Sequence, residues 1–232
     1  MTTLTRGLRR DAWRTTLLGC GIASSVLYAA MMWAIRCDGY SAVSQTVSEL
    51  SAIGAPTRPL WIWMASLYTA LVAAFGAGLW IAAGGNRALR ITASLILAYA
   101  ALGVVWPFAA MHQRDVLAAG GGTFSDTMHL VLGGITVILM FLAIGFSAAA
   151  FGRRFRIYAI ASIVILVAFG VLTFLEAPRL AASQPTPWMG LWERINISVF
   201  LLWAAVVAVS AEREARGAVR REPLGILPTR AA

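Results

Sequence analysis

Residues 157–175 read IYAIASIVILVAFGVLTFL, nineteen positions without a charge or a proline. At 1.5 Å per residue such a helix comes within a turn of the roughly 30 Å hydrocarbon thickness of a bilayer. Directly before it stands Arg153-Arg154-Phe155-Arg156, and five more apolar blocks of similar length lie elsewhere in the chain, at about 16–34, 59–83, 89–107, 125–150 and 187–210. The expected fold class is therefore all-α: a polytopic membrane protein, one six-transmembrane-helix bundle followed by a cytoplasmic tail over 211–232. Composition agrees, with 59% hydrophobic and 12% charged residues among 232. A soluble domain carries about twice that share of charge.

The net charge of +9 invites a nucleic-acid reading, but all nineteen basic residues are arginines and they gather in short connections. Arginine bias between loops orients membrane proteins, so a nucleic-acid partner is not expected. Allocating loops alternately puts fourteen arginines and four acids on the side of the N-terminus, the Asn86 turn, the Arg153 turn and the tail, against five and six on the other. The split of +10 against −1 predicts both termini in the cytoplasm of a bacterial plasma membrane. Behind Arg6, Arg9, Arg10 and Arg14 the first block is long and lacks a cleavage context, which favours an uncleaved helix over a secretory signal. Gly84-Gly85-Asn86-Arg87 suits a tight turn, making blocks two and three a hairpin.

Small residues in Phe75-Gly76-Ala77-Gly78 and Leu132-Gly133-Gly134 read as helix-packing surface, with openings for a lipid as the alternative. Trp61, Trp63, Trp80, Trp106, Trp188 and Trp192 stand near block ends and read as interface anchors. Cys20 and Cys37 are seventeen residues apart across the first helix, too far for a disulfide. Asn196-Ile197-Ser198 matches a glycosylation pattern but falls inside the sixth block.

Both histidines and six of the ten carboxylates fall on the outer side. In the first outer loop, Ser41, Gln45, Ser48 and Glu49 share one side of a helical spacing, with Val43, Val47 and Leu50 opposite. A short interfacial or re-entrant helix is expected, ended by Gly54 and Pro56 before Arg58. It either caps the bundle or lines a substrate site, with Asp38, Gln45, Glu49 and Arg58 as ligand-binding candidates. The third-to-fourth connection supplies His112, with Ser125 as a helix cap, Asp126 in the first turn and His129 three residues on. Two imidazoles and a carboxylate could hold zinc, could form a metal-free catalytic or polar cluster, or could be a hydrogen-bond network; no metal or other cofactor is assigned. Glu193 and Arg194 lie nearly two turns into the sixth block, where ionisable groups mark a site by default. Adjacent on a helix, they are expected to reach separate partners among Asp38, Glu49, Asp126 and His129. Asp126, His129, Glu193 and Arg194 are the catalytic candidates, and His112 joins the ligand-binding set.

The stretches Ser48-Glu49-Leu50-Ser51-Ala52-Ile53-Gly54-Ala55-Pro56-Thr57-Arg58-Pro59-Leu60, Asp126-Thr127-Met128-His129-Leu130 and Gly190-Leu191-Trp192-Glu193-Arg194-Ile195 resemble the marker segments of a prokaryotic integral-membrane family, domain of unknown function 998. The resemblance covers nearly the whole chain; Ser51 stands where the family commonly has glycine. It implies the membrane fold and points to Glu49, Asp126, His129, Glu193 and Arg194, without implying an activity. The expected function is to bind or modify a lipid-like amphiphile at an outer-leaflet polar site, as an enzyme or not. The alternative is a non-enzymatic assembly subunit with a membrane-protein partner, a sensor or a small transporter. An enzyme would bring His129, Asp126 and Glu193 to one atom in a cleft, whereas an assembly subunit would leave the marker residues mutually satisfied with no cavity.

Overall fold

A computed structural model describes the backbone of residues 2–221 and the side chains of 11–217. The last eleven residues of the expected tail lie outside the described residues. Six long helices dominate: α1 (Thr2–Ala34), α2 (Arg58–Ala83), α3 (Arg87–Val105), α5 (Phe124–Ser147), α6 (Arg153–Leu175) and α8 (Met189–Arg221). Two five-residue helices, α4 (Arg114–Ala118) and α7 (Ala177–Ala181), sit in connections on one end of the bundle. Each of the six long helices contains a stretch long and apolar enough to cross a membrane.

The long helices close into a ring in chain order, α1 on α2, α2 on α3, α3 on α5, α5 on α6, α6 on α8 and α8 back on α1. The last helix also touches α2 and α5, which makes it the most enclosed stave. Three polar rivets hold it there: Ser25 Oγ donates to Leu201 O at 2.8 Å, Asn196 Nδ2 to Leu166 O at 2.6 Å, and Trp203 Nε1 to Ser147 Oγ at 3.0 Å. Such bonds satisfy groups that hydrocarbon cannot, and they fix the rotation of α8 against α1, α6 and α5. Asn196 is buried among these contacts.

Two glycines of α2 let it pack closely on both sides. A Cβ at Gly78 would lie 2.8 Å from the Leu18 backbone of α1, and one at Gly76 would lie 2.9 Å from Leu97 of α3. Gly133 and Gly134 correct the packing expectation, because nothing lies within 4 Å of a Cβ at either. Among the tryptophans, Trp63 and Trp188 are exposed, whereas Trp61 is buried edge-on against Tyr28 with ring centroids 5.9 Å apart, so it belongs to the core rather than to the interface.

The ends of the bundle differ. At one, the α2–α3 turn and the α5–α6 turn are joined by Asn86, whose Oδ1 caps Leu89 N at 3.1 Å while Nδ2 donates to Ala150 O at 2.9 Å. At that end Glu212 of α8 accepts from Arg14 Nε at 3.3 Å and Thr15 Oγ1 at 2.8 Å, clasping the first helix to the last. Here too α8 continues helical through Arg221, into the region expected as tail. The opposite end carries the long connections, folded into a cap.

Candidate functional site

The cap is built from residues 35–57, 106–123 and 176–188. Its first segment was expected as a short helix with one polar and one apolar side. It folds instead as turns around a single 3₁₀ turn, Ser48–Ser51, with Val47, Glu49 and Leu50 all buried and Val43 exposed. The physical reason is that its carbonyls are taken by side chains and a distant amide. Arg194 takes Ala42 O and Gln45 O, Thr186 and Arg114 take Ser44 O, Tyr40 takes Thr46 O, and Leu191 N donates to Val43 O. A helix would need those acceptors for itself.

Arg194, at 0% exposure, is the centre of this arrangement. Its Nε donates to Met32 O (3.0 Å), Nη1 to Ala42 O (2.7 Å), Gln45 O (3.0 Å) and Gly190 O (3.1 Å), and Nη2 to the Tyr40 hydroxyl (2.5 Å). The guanidinium also lies over the rings of Trp33 and Tyr40, 5.5 and 5.7 Å from their centroids. The planar fork thus ties the end of α1, the cap and the first turn of α8 together, a task a point-charge ammonium cannot perform. Glu193 turns elsewhere and accepts from Val47 N–H at the start of the 3₁₀ turn. The expectation that these two would reach Asp38, Glu49, Asp126 or His129 is therefore corrected: among the described residues they bond backbone groups and one phenol. Tyr40 donates to Thr46 O at 2.8 Å, and burial pushes its hydroxyl up to about 12 while the Arg194 bond pulls the other way.

Glu49, 3% exposed, has a different partner, and sequence reasoning missed it. Arg114 grips it through Nε–Oε1 at 2.5 Å and Nη2–Oε2 at 2.8 Å, while Nη1 donates to Thr186 Oγ1 at 2.7 Å. Thr46 N and Oγ1 add bonds to Oε2 at 2.6 and 2.9 Å, and Gln45 Nε2 reaches Oε1 at 3.3 Å. A buried carboxylate with this many donors has its charge fully answered. Nothing local marked the pair, because Arg114 stands beside Asp115 in sequence and lies 65 residues from Glu49.

The histidines separate. Asp126 caps α5 from within its first turn, accepting Thr123 N at 2.8 Å, and it takes both His112 N (2.7 Å) and His112 Nδ1 (2.8 Å). His129 shares none of this. Its Nδ1 faces Ala109 O at 2.9 Å, an atom that can only accept, so Nδ1 carries the proton and Nε2 takes the Ser48 hydroxyl at 3.1 Å. Trp106 closes over the ring edge-on, centroids 4.9 Å apart. No three His, Cys, Asp or Glu side chains among the described residues are grouped to hold a metal ion, so the zinc arrangement weighed from His112, His129 and Asp126 is not formed. Asp126, His129 and Glu193 share no hydrogen-bond partner among the described residues. Arg58 spans two pieces of the cap, donating to Ser51 O at 2.5 Å and Pro107 O at 3.0 Å. Asp38 stands exposed on the surface, and Gln45 Oε1 accepts Ser41 N at 2.8 Å.

Beside the cap an apolar groove of about 460 Å³ opens between the last turns of α1 and the first turns of α2, lined by Met31, Ala34, Ile35, Leu60 and Met64 with Arg36 among its walls. Sites for small ligands run from about 300 to 1,000 Å³.

Six packed apolar helices beneath a hydrogen-bonded cap define a multi-pass integral membrane protein. The family model described as "Protein of unknown function (DUF998)" matches residues 19–210, and the chain belongs to that family. No curated protein and no solved structure matches it.

Proposed function

We propose that this protein binds a membrane amphiphile without transforming it, holding the tail in the α1–α2 groove beside the rigid cap. The observation that carries this reading is the combination of marker side chains spent on internal bonds with an apolar groove left open at the same end. In this reading Glu49, His129, Glu193 and Arg194 are positioning residues that shape the groove's rim. The arginine-rich end faces the cytoplasm of a bacterial plasma membrane and the cap faces outward, following the loop charge bias. The test is lipid retention. Protein purified from native membranes and released into the gas phase of a mass spectrometer should carry lipid, and Ala34→Trp, which fills the groove, should lose it while melting like wild type. Equal retention by the two would sink the proposal.

A second reading has one observation in its favour. Asp126 holds His112 by Nδ1, and among the described residues Nε2 makes no hydrogen bond, the arrangement of a base poised to take a proton from water. Hydrolysis of a lipid ester by wild type, abolished in His112→Gln at unchanged stability, would favour that reading over simple binding.

A further inference from the structure

An exposed cation, Arg36, lines the α1–α2 groove and an exposed anion, Asp38, follows it two residues on, and among the described residues neither makes an ion pair. Arg36 lines the groove two residues past the end of α1 and is exposed. Asp38 follows at a corner fixed by Tyr40 N donating to Cys37 O at 3.1 Å, with Gly39 at φ +78° supplying the backbone that this tight turn requires. The ion pairs at this end join Arg114 to Glu49, His112 to Asp126 and Arg179 to Glu176, and none of them includes Arg36 or Asp38. Every other arginine of the capped end is engaged: Arg58 and Arg194 by carbonyls, Arg114 and Arg179 by carboxylates. Two residues of chain span at most about 7 Å, so the carboxylate of Asp38 is carried close to the groove-lining Arg36, and the two charges together form the complement of a headgroup with both signs of charge.

We infer that the groove holds an acyl chain of a phosphoethanolamine lipid, the phosphate on Arg36 and the ammonium on Asp38. The inference rests on the binding reading above and narrows it to a lipid class. A guanidinium offers paired N–H donors to phosphate oxygens. A carboxylate can accept hydrogen bonds from a primary ammonium, whereas the trimethylated headgroup of a choline lipid has no N–H to give. A glycerol headgroup carries the phosphate without the cation and leaves Asp38 as a repulsive neighbour.

The test uses full-length protein reconstituted in vesicles of equimolar phosphatidylethanolamine and phosphatidylglycerol with matched chains, then extracted and weighed intact with its retained lipid. Wild type should retain the ethanolamine lipid in preference to the glycerol lipid. Asp38→Asn should retain both equally, and Arg36→Gln should lose both. These two side chains are exposed and carry no ion pair in the structure, so both variants should melt like wild type. As an independent arm, exchanging the charges through Arg36→Asp with Asp38→Arg should abolish the preference while restoring no more than part of the retention. Should Ala34→Trp keep its lipid, the binding reading itself falls. If Ala34→Trp loses lipid while Asp38→Asn and Arg36→Gln both keep the wild-type pattern, the groove stands and the headgroup assignment is overturned.

Discussion

Tyr40 shows how much of the cap hangs on single atoms. Its hydroxyl accepts from Arg194 and donates to Thr46 O, so losing the phenolic proton removes one of those bonds and buries a charge. Because burial raises its pKa in the fold to about 12, above the ordinary phenolic value of about 10, the stabilisation is complete below about pH 10 and is lost as pH rises from there through 12. Thermal melts in detergent across that window should fall for wild type. Tyr40→Phe should melt lower at neutral pH, by roughly 1–3 kcal/mol for the orphaned guanidinium N–H, and should show a flatter alkaline decline. An equally steep decline in the variant would assign the loss to another group. The sequence pointed to Glu49, Asp126, His129, Glu193 and Arg194 because ionisable groups beside apolar blocks are costly and conspicuous. Their partners were hidden for a physical reason: Arg194 binds carbonyls, which every residue has, and no residue type announces which carbonyl is vacant. Arg114 and Thr186 reach Glu49 and Ser44 across separations of 65 and 142 residues, set by the ring closure and by nothing local.

At the level of elements, the helices were legible and the connections were not. Hydrophobic length locates a membrane helix because the bilayer supplies the same requirement everywhere along the chain. The segment 38–51 has helical spacing yet forms turns, since its acceptors are drawn to α8 instead. Glycines divide in the same way. Gly190 sits where a Cβ would lie 2.7 Å from Ala42 O, so only a bare backbone lets α8 start against the cap. Gly190→Ala should cost roughly 1–3 kcal/mol in overpacking and shift the carbonyl that Arg194 binds. Gly134→Ala, with nothing within 4 Å of the added methyl, should instead gain up to about 1 kcal/mol from helix propensity. Parallel melts of the two variants check both signs, and a stabilised Gly190→Ala would show that the cap yields more readily than its bonding implies.

For the whole molecule, the even number of spans returns the chain to the end where it began, with Glu212 on α8 bonded to Arg14 and Thr15 on α1. Reporter fusions at either terminus should both read as cytoplasmic, and an outward signal from the C-terminal fusion would invert the side assigned to the groove. The central position of Arg194 has a further consequence in the order of synthesis. The carbonyls of Met32, Ala42 and Gln45 emerge from the ribosome about 150 residues before the side chain that completes them. Until α8 is made, the first loop has its bonds from Arg58, Arg114 and His129 but not those from Arg194, and the ring has an open seam along α1. A chain stopped before α8 therefore leaves the carbonyls of Met32, Ala42 and Gln45 without the guanidinium that gathers them in the finished fold.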